Sequence, residues 1–500
     1  MIGTTITLER GYRMPFMRAV LSAWLIVLMP VLARAEDAPP ARPGASGASL
    51  CIECIRIRVG IPHIVHGPSP GIPDNPFSEI KLPNGRFRGF SANGATYAID
   101  GATSAAMTGV PVEVLGKAAR GQYGESGKWI NSVERSGNEL LGWVHDETGD
   151  ARNRGLKSMS LATSKDDGLH WQDIGQIITG KEGIVDGRIT GEGDCHALNG
   201  EDGFFYAYCG RTRDHATIVA RAPVSNSGPG HWLKYLNGAW SEPGLGGDAT
   251  ALPDKSAGLA RWTTTGRTVG LGTVPGGIGL FFSTDHIAFA ALREPLLAAD
   301  PEVWARPAPS DLLTYFALLD ALQGGSQLGN KWLLAYLDLQ PNESFDKRYL
   351  VLRPIDVTIS PNPVHPQVGV MLARWHDLAL HDRWSTTAAV PGNDTSYKVE
   401  KALGYLMTAP DPANPSVELQ DCVSQWPGHP DHFLETTAAC DAGKYQRLRP
   451  AGYAYAKPQE HTVPLYRCYN AQDRSHFVSN AEDCEQLGKM ERLLGYALSQ

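Results

Sequence analysis

Four acidic positions lie in settings where a carboxyl group can do chemistry. Asp100 closes the strand-like run Ala95-Thr96-Tyr97-Ala98-Ile99. Asp194 lies in Gly191-Glu192-Gly193-Asp194-Cys195-His196, where two glycines let the backbone approach a ligand closely. Glu242 and Asp248 bracket a turn in Trp240-Ser241-Glu242-Pro243-Gly244-Leu245-Gly246-Gly247-Asp248, and Trp143-Val144-His145-Asp146-Glu147 ends a strand with three ionisable side chains together. Glycoside hydrolysis needs such groups in pairs: one carboxyl protonated to serve the leaving oxygen, and one ionised to activate water or attack the sugar. Their surroundings must hold the two pKa values apart. His145, Glu147, Trp240 and Asp248 are the matching candidates for contact with a sugar. Acidic residues beside glycine and proline are also ordinary turn formers, and His145 also reads as a hydrogen-bonded core histidine.

Other chemistries have no footing. No Gly-x-Ser-x-Gly elbow, Walker loop or dinucleotide fingerprint stands in a strand-to-helix context. No HExxH and no paired CxxC marks a zinc centre, and Cys51-Ile52-Glu53-Cys54 reads as a local disulfide or structural cysteines rather than a redox motif. No cofactor or metal is called for, and no ligand spacing supports calcium among the carboxylates. The formal charge is −8, so nothing draws the chain to nucleic acid or anionic lipid.

The N-terminus supplies Arg10, Arg13 and Arg18, the apolar run 19–32, and Ala33-Arg34-Ala35 before an acidic, Pro-rich stretch. This is the pattern of a secretory signal cleaved after Ala35. Cleavage removes four Arg and one Glu and moves the charge from −8 to −11. A secreted or periplasmic destination follows, with no membrane span. Eight cysteines suit an oxidising compartment and fall into local pairs, of which Cys195/Cys209, Cys422/Cys440 and Cys468/Cys484 are read as disulfides.

The elements that must position the carboxylates are strands. Between residues 60 and 358 short apolar runs (158–163, 203–209, 216–222, 269–273, 279–283, 331–339, 348–352) alternate with Gly-rich turns and carry little helical periodicity. Regular strands over such a length imply radial repetition of four-stranded sheets, and about 300 residues at roughly 55 per blade give five blades. Ser164-Lys165-Asp166-Asp167-Gly168-Leu169-His170-Trp171 matches the Asp box of sialidase-like propellers, with a looser version at Ser283-Thr284-Asp285. Its physics is that of a structural turn: the Asp accepts backbone N–H groups, the Gly takes the awkward φ and the Trp packs beneath.

On these tokens the middle of the chain resembles the five-bladed propeller glycosidases of glycoside hydrolase families 32 and 43. The family 43 arrangement takes a base from the first blade, an acid from a later blade and a third Asp that tunes the acid. The resemblance therefore implies Asp100 as base, Glu242 as acid and Asp194 as orienter. Trp129, Trp143, Trp171, Trp232 and Trp240 either stack on sugars or pack between blades.

The last 130 or so residues repeat three times. Trp384, Phe433 and Phe477 recur at 49 and 44 residues, and Tyr405, Tyr453 and Tyr496 at 48 and 43. Three hairpin-rich units closing on one another leave no bare edge, which suggests a β-trefoil-like module. Its aromatics read as core plugs. The polar neighbours Asp382, Asp431, His432, Ser475 and His476 are free to face solvent and bind sugar. The segment "PLYRCYN … SHFVSN … CEQ … LLGYAL" resembles a short repeat appended to secreted bacterial hydrolases and taken to be a cell-surface or carbohydrate-binding accessory. The first copy departs from it, with Arg383-Trp384 in place of His-Phe and no cysteine pair.

The expectation is an all-β protein: signal peptide 1–35, Pro/Ala/Gly-rich leader 36–59, five-bladed β-propeller 60–358, Pro-rich hinge 359–366 and β-trefoil-like three-repeat domain 367–500. The functional expectation is an exported, monomeric glycoside hydrolase acting on a polysaccharide or glycoconjugate. The alternatives are a non-catalytic glycan-binding lectin or adhesion protein, and a structural propeller that docks another protein.

Overall fold

In the computed structural model the described residues are 50–150, 154–252, 257–390, 396–424, 429–436, 440 and 444–499, so the signal peptide and most of the leader lie outside them. Among the described residues every regular element is a strand apart from two short 3-10 turns, at Ile52–Cys54 and Cys484–Gln486.

Five antiparallel groups follow one another along the chain. The first comprises Ser78–Lys81, Phe87–Asn93, Ala95–Gly101 and Val112–Leu115. The second comprises Gly127–Ser136, Glu139–Asp150, Arg154–Ser164 and Gln172–Thr179. The third runs from Thr190–Asn199 through Phe204–Arg211, Ala216–Pro223 and Leu233–Leu236 to Ala239–Pro243. The fourth runs from Ala257–Trp262 through Arg267–Val274 and Gly277–Ser283 to Phe289–Ala291. The fifth comprises Leu312–Asp320, Lys331–Leu339 and Arg348–Ile359, and is completed by the N-terminal strand His63–Ser69. The first strands of the groups touch in cyclic order: Ser78–Lys81 meets Gly127–Ser136, and so on round to Leu312–Asp320, which returns to Ser78–Lys81.

The inner and middle strands of the groups are buried on both faces, which explains their near-continuous apolar runs. In Lys331–Leu339, Trp332, Leu334 and Tyr336 pack toward the fourth group with Trp262, Leu271 and Phe282, whereas Leu333 and Ala335 pack toward the first with Phe77, Phe87 and Ile99. The tryptophans serve these interfaces: Trp143, Trp232, Trp262 and Trp332 are all at or below 1% exposed. The Asp box does the same work. Ser164 Oγ accepts from Gly168 N at 2.9 Å, Asp166 accepts from His170 N at 2.9 Å, and Trp171 meets Phe90 of the first group edge-on at 5.7 Å.

Strand Ile55–Val59, within the predicted leader, pairs antiparallel with Arg348–Ile359 and parallel with Val368–Asp377. The Pro-rich stretch 359–366 is anchored to this N-terminal segment: Ser360 N donates to Cys54 O at 2.8 Å and Val364 N to Glu53 O at 2.9 Å.

The three C-terminal units are alike. Each has a long first strand (Val368–Asp377, Ser416–Ser424, Thr462–Asn470) paired with both a short second strand and a long third one. Trp384, Phe433 and Phe477 are buried plugs. The polar residues beside them do not face solvent; they bond cyclically to one another. His432 bonds Asp382 through Nδ1 at 2.6 Å, His476 bonds Asp431 at 2.9 Å, and Arg383 N donates to Ser475 Oγ at 3.1 Å. Where the first copy replaces His by Arg, the matching Asp is replaced by Ser. The repeated glycines follow the same cycle. A Cβ on Gly404 would lie 2.7 Å from Leu498 O, on Gly452 2.7 Å from Met407 O, and on Gly495 2.9 Å from Tyr455 O. All four cysteine pairs are joined: Cys51–Cys54, Cys195–Cys209, Cys422–Cys440 and Cys468–Cys484.

Candidate active site

Four of the five inner strands break register at one point: at Ile130/Ser132, Gly193/His196, Ala257/Ala260 and Thr314/Ala317. Such bulges re-aim side chains. Two of them place chemistry-bearing groups at residues with left-handed backbone, Asp194 (φ 51°) and Tyr315 (φ 52°). Strain at a non-glycine residue is held only where the surroundings over-determine it, and it concentrates at functional sites.

Around Asp194 the second group supplies three partners. His145 and Glu147, two apart, share one face of Glu139–Asp150, and Lys157 stands opposite Glu147 across the hairpin. Lys157 Nζ lies 2.6 Å from Asp194 Oδ2 and 3.8 Å from Glu147 Oε1. His145 Nδ1 accepts from Asp194 N at 3.1 Å. His145 Nε2 stands 3.5 Å from both Glu147 Oε1 and Asp194 Oδ1. The two glycines before Asp194 are explained by these neighbours rather than by a ligand. A Cβ on Gly191 would lie 2.1 Å from Lys157 O, and one on Gly193 2.5 Å from His145 Nδ1.

Asp74, in the loop that enters the first inner strand, completes the cluster. Its Oδ1 is 3.5 Å from Arg348 Nη2, and its carboxyl feels the charges of Asp194, Glu147 and Lys157. Burial pushes it up to about 6, with Arg348 opposing. Burial would likewise raise Asp194, but His145 and Lys157 outweigh it and hold that carboxyl well below the usual range. Glu147 is lowered too, since His145 and Lys157 overcome its burial. Burial, then the same charges, pushes the Tyr315 phenol far up, so it stays a neutral hydroxyl. Asp194 keeps 35% of its side chain open. It lines a cavity of about 340 Å³ with Lys157, Arg211, His215, Glu302 and Tyr315.

The other candidates lie elsewhere. Asp100 is on the third strand of its group, opposite Arg88, which grips it with two bonds of 2.6 and 2.8 Å. Arg88 also donates to Asp167 O in the Asp-box turn, at the end where the inner strand Ser78–Lys81 finishes; Asp74 precedes that strand's start. Asp100 is thus at the end remote from the Asp194 cluster, because the third strand of an antiparallel group runs parallel to the first, so its end lies beside the inner strand's end and not its start. Glu242 lies on the outermost strand of the third group, across from Lys234, and accepts from Asp248 N at 3.2 Å. Asp248 pairs with Arg213 at 3.0 Å and with Lys181 at 3.4 Å. Trp240 packs edge-on to Tyr206 and Tyr235 beneath Arg221. Of the predicted residues the structure brings together Asp194, His145 and Glu147. Asp74, Lys157, Tyr315 and Arg348 were missed. The one local signal for Asp74 was an acidic residue within Pro73-Asp74-Asn75-Pro76, just ahead of the first strand.

No family model matches the sequence, and no curated protein does. Among solved structures, similarity is found to an α-L-arabinofuranosidase from Lactobacillus brevis (10% identity, 58% of this chain and 92% of that one, TM-score 0.39). It is also found to an endo-1,4-β-xylanase from Bacteroides thetaiotaomicron (14%, 61% and 99%, TM-score 0.38). A third is a family 117 glycoside hydrolase from Zobellia galactanivorans (13%, 62% and 86%, TM-score 0.36).

Proposed function

We propose that the chain is an exported glycoside hydrolase whose five strand groups are the blades of a β-propeller, with the cavity at Asp194 as its funnel and the three C-terminal units as a β-trefoil-like accessory. The cyclic contact of the inner strands supports the five-bladed reading. The observation that carries the chemistry is the opposite shift of two carboxyls that feel one another's charge: Asp194, which lines the cavity, is lowered, and Asp74 is raised. In this reading Asp74 delivers the proton to the leaving oxygen. Asp194, ionised and open to the cavity, activates water or meets the sugar. His145, Glu147 and Lys157 position Asp194, and the Tyr315 hydroxyl bonds the substrate. The family analogy that pointed to Asp100 and Glu242 gives way to these residues.

The test is release of reducing sugar from a panel of plant, fungal and bacterial polysaccharides by residues 36–500, beside Asp74→Asn and Asp194→Asn. Release by the parent protein, lost in both variants, supports the assignment. Binding to glycan columns with no release by any form would instead make the chain a lectin.

A further inference from the structure

A second cavity, larger than the funnel, is a cleft of about 470 Å³ between the propeller-like part and the three-repeat module. It is not a gap between loosely tethered bodies. Arg447 of the module forks onto Asp300 at 2.9 and 3.1 Å, Arg449 meets Asp311 at 3.0 Å, and Thr408 Oγ1 donates to Pro295 O at 2.6 Å. Strand Ile55–Val59, hydrogen-bonded to both parts, holds the same junction. The cleft therefore has a fixed shape.

It adjoins the funnel, since Thr273 and Glu302 line both cavities. Beside this shared wall stands Trp304, 46% exposed. Glu302 accepts from its Nε1 at 3.3 Å, and its ring lies edge-on to Tyr315 of the funnel at 6.1 Å and stacked with Phe345 at 6.3 Å. An oriented, exposed aromatic face suits the C–H face of a sugar ring. The charged lining comprises Asp300, Glu302, Asp311 and Glu418 against Arg293 and Arg447, an acidic excess that would repel uronates or sulfates.

We infer that the cleft is a binding groove for the continuation of a neutral glycan chain whose end or scissile bond lies in the funnel, with Trp304, held against Glu302 of the shared wall, as a stacking platform. Each cavity falls within the roughly 300–1,000 Å³ typical of small-ligand sites, so together they fit a chain of several sugars rather than one. The inference rests on the glycan reading of the funnel. It turns the accessory from a tethered binder into one wall of the substrate site.

The experiment is calorimetric titration of the full mature chain, carrying Asp194→Asn to prevent turnover, with neutral xylo-, arabino- and galacto-oligosaccharides of two to about eight residues, and with oligogalacturonates. Thr273→Trp and Glu418→Trp, on opposite walls and both exposed, are compared after thermal melts confirm folding. The expected result is an affinity for one neutral series that rises about tenfold or more with length, a gain of at least about 1.4 kcal/mol, and a length dependence that flattens in either wall variant that melts like the parent. Affinity independent of length, a length gain surviving in the folded wall variants, or preference for the oligogalacturonates overturns the inference. Length-dependent binding without sugar release by the parent would sink the hydrolase reading and leave the groove standing. Binding of no oligosaccharide would remove both.

Discussion

The surroundings of the Asp194 cavity and the three C-terminal units are both built from recurring β-units, yet they treat polar residues in opposite ways. In the module each unit meets the next through the same bonds, so Asp382 answers His432 and Asp431 answers His476. These buried acids and imidazoles are spent on one another rather than turned to the surface. Around the funnel the equivalent bulges carry unlike residues: Asn131 in the second group, Asp194 in the third, Gly258 in the fourth and Tyr315 in the fifth. Of these only Asp194 and Tyr315 titrate, and their surroundings shift them in opposite directions. Repetition makes a scaffold, and chemistry gathers where the repeat is broken.

The largest expected effect tests the broken side of that contrast. Asp194→Asn and Asp74→Asn should each lower turnover by about 10²–10⁴-fold, the usual worth of a positioned acid or base, with little change in melting temperature. The pH profile sharpens it. A proton donor is active only while protonated, and the Asp74 carboxyl is held near 6, so rate should fall as pH rises through about 6. A profile flat from pH 5 to 8 would remove Asp74 from that role.

On the repeated side the effects should appear in stability alone. Replacing Cys468 and Cys484 together by Ser opens a loop of sequence separation 16 and should cost about 3 kcal/mol in denaturant unfolding. Gly404→Ala, Gly452→Ala and Gly495→Ala each push a methyl against a neighbouring carbonyl, and each should cost about 1–3 kcal/mol. Near-equal losses at the three positions would confirm that the cycle is energetic as well as geometric; widely unequal ones would break the comparison. Smallest of all, Asp166→Ala removes the Asp-box bonds to His170 and should cost about 1 kcal/mol while leaving turnover untouched, because that turn lies at the end remote from the funnel.

Legibility in the sequence followed the same divide. The repeats, their aromatic plugs and their cysteine pairs were read correctly because each recurs at a fixed spacing, and the Asp-box turn because all its partners lie within eight residues. Asp194, His145 and Glu147 were legible from glycine context and from spacing by two. Asp100 and Glu242 looked equivalent to them, since a strand end reads the same whether it belongs to the inner strand or an outer one. Asp74, Lys157, Tyr315 and Arg348 carried no such mark. They become a site only when the fifth group closes on the first and brings residues 74 and 348 together.

The amino-acid sequence by itself determined the all-β class, the threefold repeat, the cysteine pairs and the local turns, because alternation, spacing and turn chemistry act within a few residues. Only the tertiary structure decided which carboxyls lie near enough to feel one another, in which direction each is shifted, and that residues of the C-terminal units line a cleft adjoining the Asp194 cavity. Those depend on ring closure, on bulges that turn single side chains inward, and on charges brought close from distant parts of the chain, where burial sets the worth of each pair.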